Sequence, residues 1–211
     1  MTNTFIPDYY VYTDGSCTNN GKPNAKCGTG VYFEENDPRN LSKSITGKTN
    51  NIAELTAILY AFNIIKEDLD KGKKIIIYTD SKYSILCLTT YGAKCEKKQW
   101  SEDIPNKLLV KELFEIYKNY KNVKIMHIKA HTDLTDIHSI GNFNADKLAN
   151  LSIDNTKEYK KDNKIYLKVS FLEKDLIKKL GGLWDMKKKK WYILEDNKNK
   201  EEIFKIFSIY M

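Results

Sequence analysis

Four acidic residues stand where their carboxylates could meet at one site: Asp14, Glu54, Asp80 and Asp146. Clustered carboxylates repel one another and acquire raised pKa values unless a cation neutralises them. Oxygen ligands without cysteine or several histidines favour a hard cation, Mg²⁺ or Mn²⁺, and two such ions about 4 Å apart support in-line displacement at a phosphodiester. The acids therefore indicate metal-dependent phosphodiester chemistry. Each acid alone would more often be structural, as a turn residue or at a helix start.

The elements that must position these acids are strands and helices in a mixed order. Asp14 and Asp80 each end a run typical of a strand, whereas Glu54 and Asp146 lie in the opening turns of segments with helical spacing. If the two strands are neighbours, both aspartates lie near one edge of the sheet. The order β-β-β-α-β-α-α-β-α predicts an antiparallel unit joined to parallel strands through helical crossovers. Strands are expected at residues 9–13, 28–34, 41–46, 74–79 and 123–128, and helices from residues 52, 81, 105 and 142.

The charge of the chain is distributed unevenly. Its 211 residues carry a net charge of +7, and residues 157–211 account for +6 of it. Arg39 is the only arginine, so bidentate recognition of base edges is not expected, while delocalised attraction to phosphate stays open. A polar stretch, residues 155–163, reads as a linker between a domain of residues 1–154 and a small basic domain of residues 164–211.

Several protein classes are excluded by what the sequence lacks. We expect no secretory leader at the start and no membrane partner, because no apolar run is long enough to cross a bilayer. The cysteines form no C-x-x-C pair, and the three histidines are not spaced with them as zinc ligands. We therefore expect an intracellular protein with four reduced thiols in preference to disulfides. The cysteines are Cys17, Cys27, Cys87 and Cys95.

Four segments, in this order and at these intervals, resemble the ribonuclease H type 1 family across residues 8–153. They are Tyr12-Thr13-Asp14-Gly15-Ser16, Thr49-Asn50-Asn51-Ile52-Ala53-Glu54-Leu55, Tyr78-Thr79-Asp80-Ser81, and Gly141-Asn142 followed by Asn144-Ala145-Asp146-Lys147-Leu148-Ala149. The resemblance implies an α/β fold, a ribonuclease H-like mixed five-stranded sheet with flanking helices, here with a small C-terminal α+β domain.

The same resemblance implies an endonuclease that hydrolyses the RNA strand of RNA–DNA hybrids and leaves 3′-hydroxyl and 5′-phosphate ends. It implies two Mg²⁺ ions, with Mn²⁺ as a substitute, and no small-molecule cofactor. By that analogy Asp14 bridges both ions and Asp146 helps to hold the ion that activates water. Glu54 and Asp80 would then complete the second site.

His131 follows a predicted strand and precedes a polar loop of residues 133–141. A loop histidine can carry protons near neutral pH, and the resemblance implies that His131 assists proton transfer or product release. Without the resemblance, a surface histidine is the preferred interpretation. Whether His138 in the same loop shares this role stays open. His127, inside the strand, is expected to be packed or half-buried.

The resemblance also implies how a hybrid is held. Asn20, Asn50 and Asn51 match ribose contacts, and Thr49 and Asn106 match a phosphate pocket, although Gly47 stands where an arginine is often found. Asparagine at a turn or helix start fits capping equally well.

The segment of residues 91–100 is similar to the basic protrusion of the family. Tyr91 matches one channel tryptophan, but Cys95 stands in the place of the other. A solvated lysine-rich loop is the alternative interpretation. The substrate contacts expected here are Tyr91, Lys97, Lys98 and Trp100.

The C-terminal residues 165–194 indicate a strand–helix–strand unit, with a helix from about residue 172 that stops at Gly181 and another helix over residues 200–210. The unit is similar to a small accessory domain of uncharacterised role found beside primases and other DNA-processing modules. Lysines between Trp184 and Trp191 could hold phosphates while an aromatic ring stacks on a base. Alternatively, both tryptophans belong to the core, which we favour for Trp191. The candidate nucleic-acid contacts are Trp184, Lys187, Lys188, Lys189 and Lys190.

The sequence therefore predicts a monomeric, metal-dependent endonuclease whose partner is an RNA–DNA hybrid. Another nuclease or a strand-transfer enzyme of the same fold is an alternative, but Asn50 and Asn51 before Glu54 favour RNA recognition. The alternative from another class is a catalytically inactive hybrid-binding or scaffold protein. Retention of all four acids argues against it.

Overall fold

A five-stranded mixed sheet forms the centre of the first of two compact units, Met1–Lys157 and Glu158–Met211. The computed structural model describes residues 5–129, 136–153, 164–170, 173–185, 188–194 and 197–209. The sheet has the order β3-β2-β1-β4-β5, antiparallel from β1 to β3 and parallel from β1 through β4 to β5. This confirms the predicted mixed sheet. Its strands are β1 (Tyr9–Thr18), β2 (Lys26–Tyr32), β3 (Leu41–Ile45), β4 (Ile75–Thr79) and β5 (Val123–His127).

Five helices accompany this sheet within the described ranges, one more than expected, because the predicted protrusion contains a helix of its own. They are α1 (Asn50–Asp70), α2 (Lys82–Leu88), α3 (Thr90–Lys97), α4 (Lys107–Asn119) and α5 (Ile137–Ile153). The prediction of a polar loop up to residue 141 is wrong at its end, since α5 begins at Ile137. Asp136 caps that helix: its Oδ1 accepts hydrogen bonds from the amides of His138 (3.0 Å) and Ser139 (3.1 Å).

The core of the first unit lies between the sheet and its helices, chiefly α1 and α4. Leu55, Ile58, Phe62 and Ile65 recur at helical spacing along α1 and are almost fully buried against strand residues such as Ile77. Each such side chain contributes roughly 1.5–3 kcal/mol when fully buried. The helix that carries Glu54 is therefore fixed to the sheet by apolar packing along its length.

Helix α5 approaches β2 so closely that only glycine fits beneath it. A Cβ atom on Gly30 would lie 2.0 Å from the backbone oxygen of Ala145. Ala145, Leu148 and Ala149 are buried at this contact. The small residues thus let α5, which carries Asp146, pack directly on the strand backbone.

Arg39 serves the fold. Its guanidinium donates to both carboxylate oxygens of Asp37, at 2.7 to 3.2 Å, and lies 3.7 Å from Asp68 of α1. It also lies over the rings of Phe33 (4.2 Å) and Tyr9 (5.0 Å). These hydrogen bonds from Arg39 lower the pKa of the Asp37 carboxyl. The single arginine therefore ties the loop before β3 to α1 and β1.

The expectation of four reduced thiols is wrong for one pair. Cys17 and Cys27 face each other in the antiparallel register of β1 and β2 and are joined by a disulfide. Cys87 and Cys95 are buried free thiols. Strand register, which no spacing rule for cysteines contains, brings the first pair together.

The second unit is a four-stranded antiparallel sheet of order β7-β8-β6-β9. Its core consists of Leu167, Ile177, Ile193, Ile203 and Phe207. The expected strand–helix–strand pattern is present, but an additional strand, β7, precedes the second predicted strand. The second helix ends at residue 206, and residues 208–209 form a strand where a helix was predicted. The elements are β6 (Lys164–Lys168), α6 (Lys174–Lys179), β7 (Leu183–Asp185), β8 (Lys190–Leu194), α7 (Lys200–Ile206) and β9 (Ser208–Ile209).

Gly181 ends α6 as predicted, with a positive φ of 85°. Its amide donates to the carbonyl of Lys178 (3.0 Å), and the amide of Gly182 donates to that of Ile177 (2.8 Å). This is the usual glycine-dependent way of satisfying the last carbonyls of a helix. Across the described residues, no helix combines the length and the apolar character that a membrane span requires.

Candidate active site

Three of the four predicted acids meet where the parallel pairing of the central strands ends. The expectation that the first strand ends at Asp14 is wrong, because β1 continues to Thr18 in its antiparallel pairing with β2. Asp14 lies on β1, Glu54 in the second turn of α1, and Asp80 directly after β4. The parallel register pairs Thr13 with Thr79, which brings the two following aspartates side by side. One carboxylate oxygen from each of the three acids lies within 4.8 Å of the others. Asp14 and Glu54 are both only 5% exposed, so the cluster is largely withdrawn from water.

The carboxylate of Glu54 is held from two sides. Its Oε2 accepts a hydrogen bond from the backbone amide of Gly15 (3.1 Å), and its Oε1 accepts one from Nδ2 of Asn50 (3.3 Å). Asn50 is itself fixed, because its amide donates to Oδ1 of Asn20 (3.0 Å). Thr49 caps the same helix end by accepting from the amide of Ile52. The start of α1 therefore orients Glu54 towards β1.

Substitution of Gly15 by alanine is expected to force α1 away from β1. The added Cβ would lie 2.2 Å from the backbone nitrogen of Glu54, and a backbone atom cannot move aside as a side chain can. We expect the free energy of unfolding to fall by about 3 kcal/mol, the upper range for overpacking. Urea unfolding measures this change. Gly47→Ala is the control, because its nearest neighbour is a side-chain atom of Ile52 at 3.2 Å. Equal stability of both variants would contradict the close contact.

Asp146 is not one of the three acids whose oxygens lie within 4.8 Å of one another, but it is near enough to Asp14 to raise the pKa of that carboxyl. Because α5 starts at Ile137, Asp146 is its tenth residue and not part of the opening turns, as had been expected. Its Oδ1 accepts a hydrogen bond from Asn150 (2.9 Å), which in turn accepts one from the hydroxyl of Ser16 on β1 (2.6 Å). Sequence reasoning assigned no role to Asn150 or Ser16. The spacing of four residues between Asp146 and Asn150 was the available signal, since such residues are neighbours on a helix.

The protonation of the cluster is strongly perturbed. Burial, followed by the negative charges of Asp80 and Asp146, raises the pKa of Asp14 to about 8. Burial and then the charges of Asp14 and Asp80 raise the pKa of Glu54 well above its usual range. Protons or a cation must therefore compensate the cluster near neutral pH. The atoms that this cluster offers to a metal are all carboxylate oxygens, which fit a hard divalent cation.

Asn142 of α5 adds a polar group to this site. It is 5% exposed, and its Nδ2 lies 3.5 Å from Oδ2 of Asp80. Among the described residues, its Oδ1 is a buried polar atom without a hydrogen-bond partner. Such atoms are rare in folded proteins, so this oxygen is consistent with a site whose ligands complete it. Asn142 belongs to the fourth of the four matched sequence segments, but the sequence analysis assigned it no role.

Comparison with known proteins agrees with the fold and with the acidic cluster. The pattern of the RNase H family matches residues 7–154, more than half of the chain. The chain belongs to the RNase H family. This confirms the resemblance seen in the four sequence segments. A second pattern, that of a domain of unknown function (DUF5710), matches residues 164–205.

Named relatives cover the RNase H part of the chain. The probable ribonuclease H of Acanthamoeba polyphaga mimivirus is 35% identical over 153 residues, covering 69% of this chain and 65% of that protein. The ribonuclease H of Schizosaccharomyces pombe is 39% identical over 145 residues, covering 66% of this chain and 50% of that protein. The chain thus spans between half and two thirds of the length of these relatives.

A bacterial relative and a solved structure match the same unit over nearly their whole length. The ribonuclease H of Clostridium botulinum is 31% identical over 150 residues, covering 68% of this chain and 94% of that protein. The solution structure of the PFV RNase H domain has a TM-score of 0.56 at 23% identity, covering 69% of this chain and 94% of that one. The structural likeness shows the shared fold.

Most residues expected to contact ribose or phosphate gather around the start of α1. Asn51 and Asn20 are exposed, Asn50 and Thr49 are half-buried, and Asn20 and Asn50 are hydrogen-bonded to each other. Asn106 lies before α4 with a positive φ of 58°, and its Nδ2 donates to the hydroxyl of Tyr83 (3.3 Å). That these residues contact a substrate stays a prediction.

The structure corrects part of the expected protrusion. Trp100 is only 9% exposed, and its ring packs 6.0 Å from that of Phe114 in the core. A left-handed turn at Gln99 and Trp100, with φ of 54° at each, follows α3 and places the indole against α4. Trp100 is therefore a core residue and not an accessible substrate contact. Tyr91 is half-buried against the same core, Lys97 is exposed, and Lys98 forms a 2.6 Å ion pair with Glu102.

The three histidines have different positions. His131 lies outside the described residues, so its expected proton-transfer role stays a prediction. His138 belongs to α5 and not to a loop; its Nδ1 lies 3.0 Å from the hydroxyl of Tyr12, and its ring packs on that of Tyr78 (4.4 Å). His127 is exposed, contrary to the expectation that it is packed or half-buried, because it is the last residue of an edge strand.

The candidate contacts of the second unit do not form one group. Trp191 packs against the core, as we favoured, and its ring centroid lies 5.3 Å from that of Trp184, which is 44% exposed. Trp184 and Lys190 project from opposite faces of the sheet. Trp184 pairs with Trp191 and Lys190 with Asp185, and successive cross-strand pairs point to alternate faces. Lys188 and Lys189 are exposed, and Lys187 lies outside the described residues.

Proposed function

We propose that this protein is a ribonuclease H that hydrolyses the RNA strand of RNA–DNA hybrids and leaves 3′-hydroxyl and 5′-phosphate ends. The observation that carries the proposal is the group formed by buried Asp14 and Glu54 and half-buried Asp80 in an RNase H fold. Relatives named ribonuclease H at 31–39% identity support it. The proposed catalytic domain is residues 1–154, joined through residues 155–163 to an accessory domain of residues 164–211.

We assign the four acids to a site for two Mg²⁺ ions, with Mn²⁺ as a substitute. Bound metal would supply charge neutralisation and an activated water at the scissile phosphate. Asp14 lies beside Asp80 and Asp146 and is suited to bridge both ions. Glu54 is oriented by the Gly15 amide and Asn50, and Asp146 is oriented by Asn150. His131 is the candidate proton carrier.

RNA recognition is assigned to the asparagines at the start of α1. An RNA strand differs from DNA by its 2′-hydroxyl, which both donates and accepts hydrogen bonds, as an amide side chain does. Asn50 contacts both Glu54 and Asn20, so ribose bound at Asn50 or Asn51 lies next to a catalytic acid. Thr49 and Asn106 are the proposed phosphate contacts, and Tyr91, Lys97 and Lys98 the proposed protrusion contacts. We propose that the enzyme acts as a monomer without a small-molecule cofactor.

A cleavage assay tests the proposed function. End-labelled RNA–DNA hybrid, single-stranded RNA and duplex DNA are incubated with the full chain and Mg²⁺ or Mn²⁺. We expect cleavage of RNA in the hybrid alone, inhibition by EDTA, and 5′-phosphate products. Asp80→Asn is expected to reduce the rate at least hundredfold, since a metal ligand loses its charge. Hybrid binding without cleavage in either metal would favour the inactive scaffold, and cleavage of duplex DNA would favour another nuclease.

A further inference from the structure

Both helices described in the second unit, α6 and α7, pack on one side of its sheet. Leu167 and Ile193 project to the side on which Ile177 of α6 and Ile203 of α7 complete the core. Because side chains alternate along a strand, their neighbours project to the other side. Tyr166 and Tyr192 are a direct cross-strand pair on that side, with ring centroids 5.9 Å apart. Leu183 pairs with Tyr192 and is 46% exposed. We call this side the tyrosine face.

Lysines surround the two rings. The ammonium of Lys188 lies 4.5 Å from the ring centroid of Tyr166, and that of Lys164 lies 4.9 Å from the ring centroid of Tyr192. Strand alternation places Lys168 and Lys190 on the same side as the tyrosines. The tyrosine face therefore combines two aromatic rings with four cationic side chains.

Most of the described acids of the second unit lie at its helices and not on the tyrosine face. Among the described residues, the tyrosine face carries one acid, Asp185, which accepts hydrogen bonds from the Tyr166 hydroxyl (2.7 Å) and the amide of Lys188 (2.8 Å). Its carboxylate also lies 3.8 Å from the ammonium of Lys164, so that lysine is paired within the face. The other acids among the described residues of this unit lie at or in the two helices: Glu173, Asp175, Glu201 and Glu202. On the tyrosine face the four lysines therefore outnumber the one described acid, and Asp185 fixes the orientation of the Tyr166 ring.

We propose that the tyrosine face binds a single strand of nucleic acid. Unpaired bases expose their flat surfaces to aromatic rings, and their phosphates attract the flanking ammonium groups. Stacking of a base on a ring is generally stronger than the contact of an exposed ammonium with that ring. A base can therefore displace Lys188 from the ring of Tyr166, and the displaced lysine can reach an adjacent phosphate. This site lies on the opposite side of the sheet from Trp184, and the proposal does not rest on hydrolysis by the first unit.

Fluorescence anisotropy of the full chain in EDTA tests the proposal, since no metal is then present to support hydrolysis. The probes are labelled dT15, rU15 and an abasic 15-mer of deoxyribose phosphate. Tyr192→Ala is expected to weaken binding of dT15 and rU15 by about fivefold to hundredfold, the effect of losing one stacked base. The same Tyr192→Ala substitution is expected to weaken binding of the abasic strand less than twofold. Tyr192→Phe is expected to bind all three probes with the affinity of wild type.

Two charge-reversal variants test the proposal even if the Tyr192→Ala variant does not fold. Lys168→Glu changes the tyrosine face, and Lys205→Glu changes α7 on the other side; both lysines are exposed. We expect Lys168→Glu to weaken dT15 binding at least fivefold at low salt and Lys205→Glu to weaken it less than twofold. Equal losses from both variants would overturn the proposal, as would absent binding by wild type or unchanged binding by Tyr192→Ala. Binding of phosphatidylserine vesicles but not dT15 would assign the face to membranes. Hybrid cleavage, measured separately, reports on the hydrolase proposal alone.

Discussion

Asp14→Asn is expected to abolish hydrolysis of an RNA–DNA hybrid while raising the melting temperature of the metal-free protein. Asp14 lies in the group with Glu54 and Asp80 and is close enough to Asp146 for that charge to raise its pKa. Its amide variant removes a negative charge from the group of acids that we propose to hold the metal. We expect kcat to fall at least a thousandfold, which corresponds to about 4 kcal/mol of lost transition-state stabilisation.

The opposite effect on stability has the same electrostatic cause. Without a cation, the buried Asp14 carboxylate is poorly solvated and repelled by its acidic neighbours. A neutral amide of the same size relieves both penalties. For a chain of this length, each 1 kcal/mol gained raises the melting temperature by about 2–4 °C. Thermal unfolding in EDTA at pH 8 measures the gain, and the same experiment with Mg²⁺ is expected to reduce or reverse it, because wild type alone has the full ligand set.

Asp70→Asn provides the matched control. Asp70 ends α1, forms a surface ion pair with Lys66 (2.5 Å) and accepts from the hydroxyl of Tyr120 (2.7 Å). Its amide variant is expected to leave kcat unchanged and to lower the melting temperature slightly. If Asp14→Asn kept a tenth of the wild-type activity, or melted below wild type in EDTA, the assignment of Asp14 to the metal site would be wrong.

The position of Asp14 and Asp80 could be predicted because it depends on local features alone. Each aspartate follows a run typical of a strand, and the parallel pairing of β1 with β4 ends one residue before both aspartates, although β1 itself continues to Thr18. Glu54 could be predicted from helical spacing after Asn50 and Asn51. The framework of the site is therefore contained in patterns a few residues long.

Features that depend on long-range packing were missed. Asp136 caps α5 earlier than the apolar spacing suggested, which shifts Asp146 from an opening turn to the middle of the helix. The disulfide between Cys17 and Cys27 depends on strand register. Trp100 reads as an exposed aromatic in a lysine-rich segment, yet the turn after α3 places it in the core. In each case a tertiary contact decided the outcome, and no local pattern records it.

The stability of the metal-free protein is expected to fall as pH rises from about 4 to 8. The pKa of Asp14 is about 8 in the folded protein, against an ordinary value of 3.8. Between these values the folded state binds more protons than the unfolded state, so the free energy of unfolding decreases with increasing pH. The stabilising contribution is complete below about pH 4 and is lost as pH approaches 8. One proton gives a slope of at most about 1.4 kcal/mol per pH unit, and Glu54, whose pKa is also raised, acts in the same direction.

Urea unfolding in EDTA at pH 5, 6.5 and 8 measures this slope for wild type and Asp14→Asn. The variant is expected to show a shallower dependence, because it lacks the Asp14 proton. Added Mg²⁺ is expected to stabilise wild type more at pH 8 than at pH 5, since protons compete with the cation for the same carboxylates. If the stability of the metal-free wild type rises with pH over this range, the folded state does not raise the pKa values of these acids. If Mg²⁺ stabilises the protein equally at both pH values, the cation does not bind at these carboxylates.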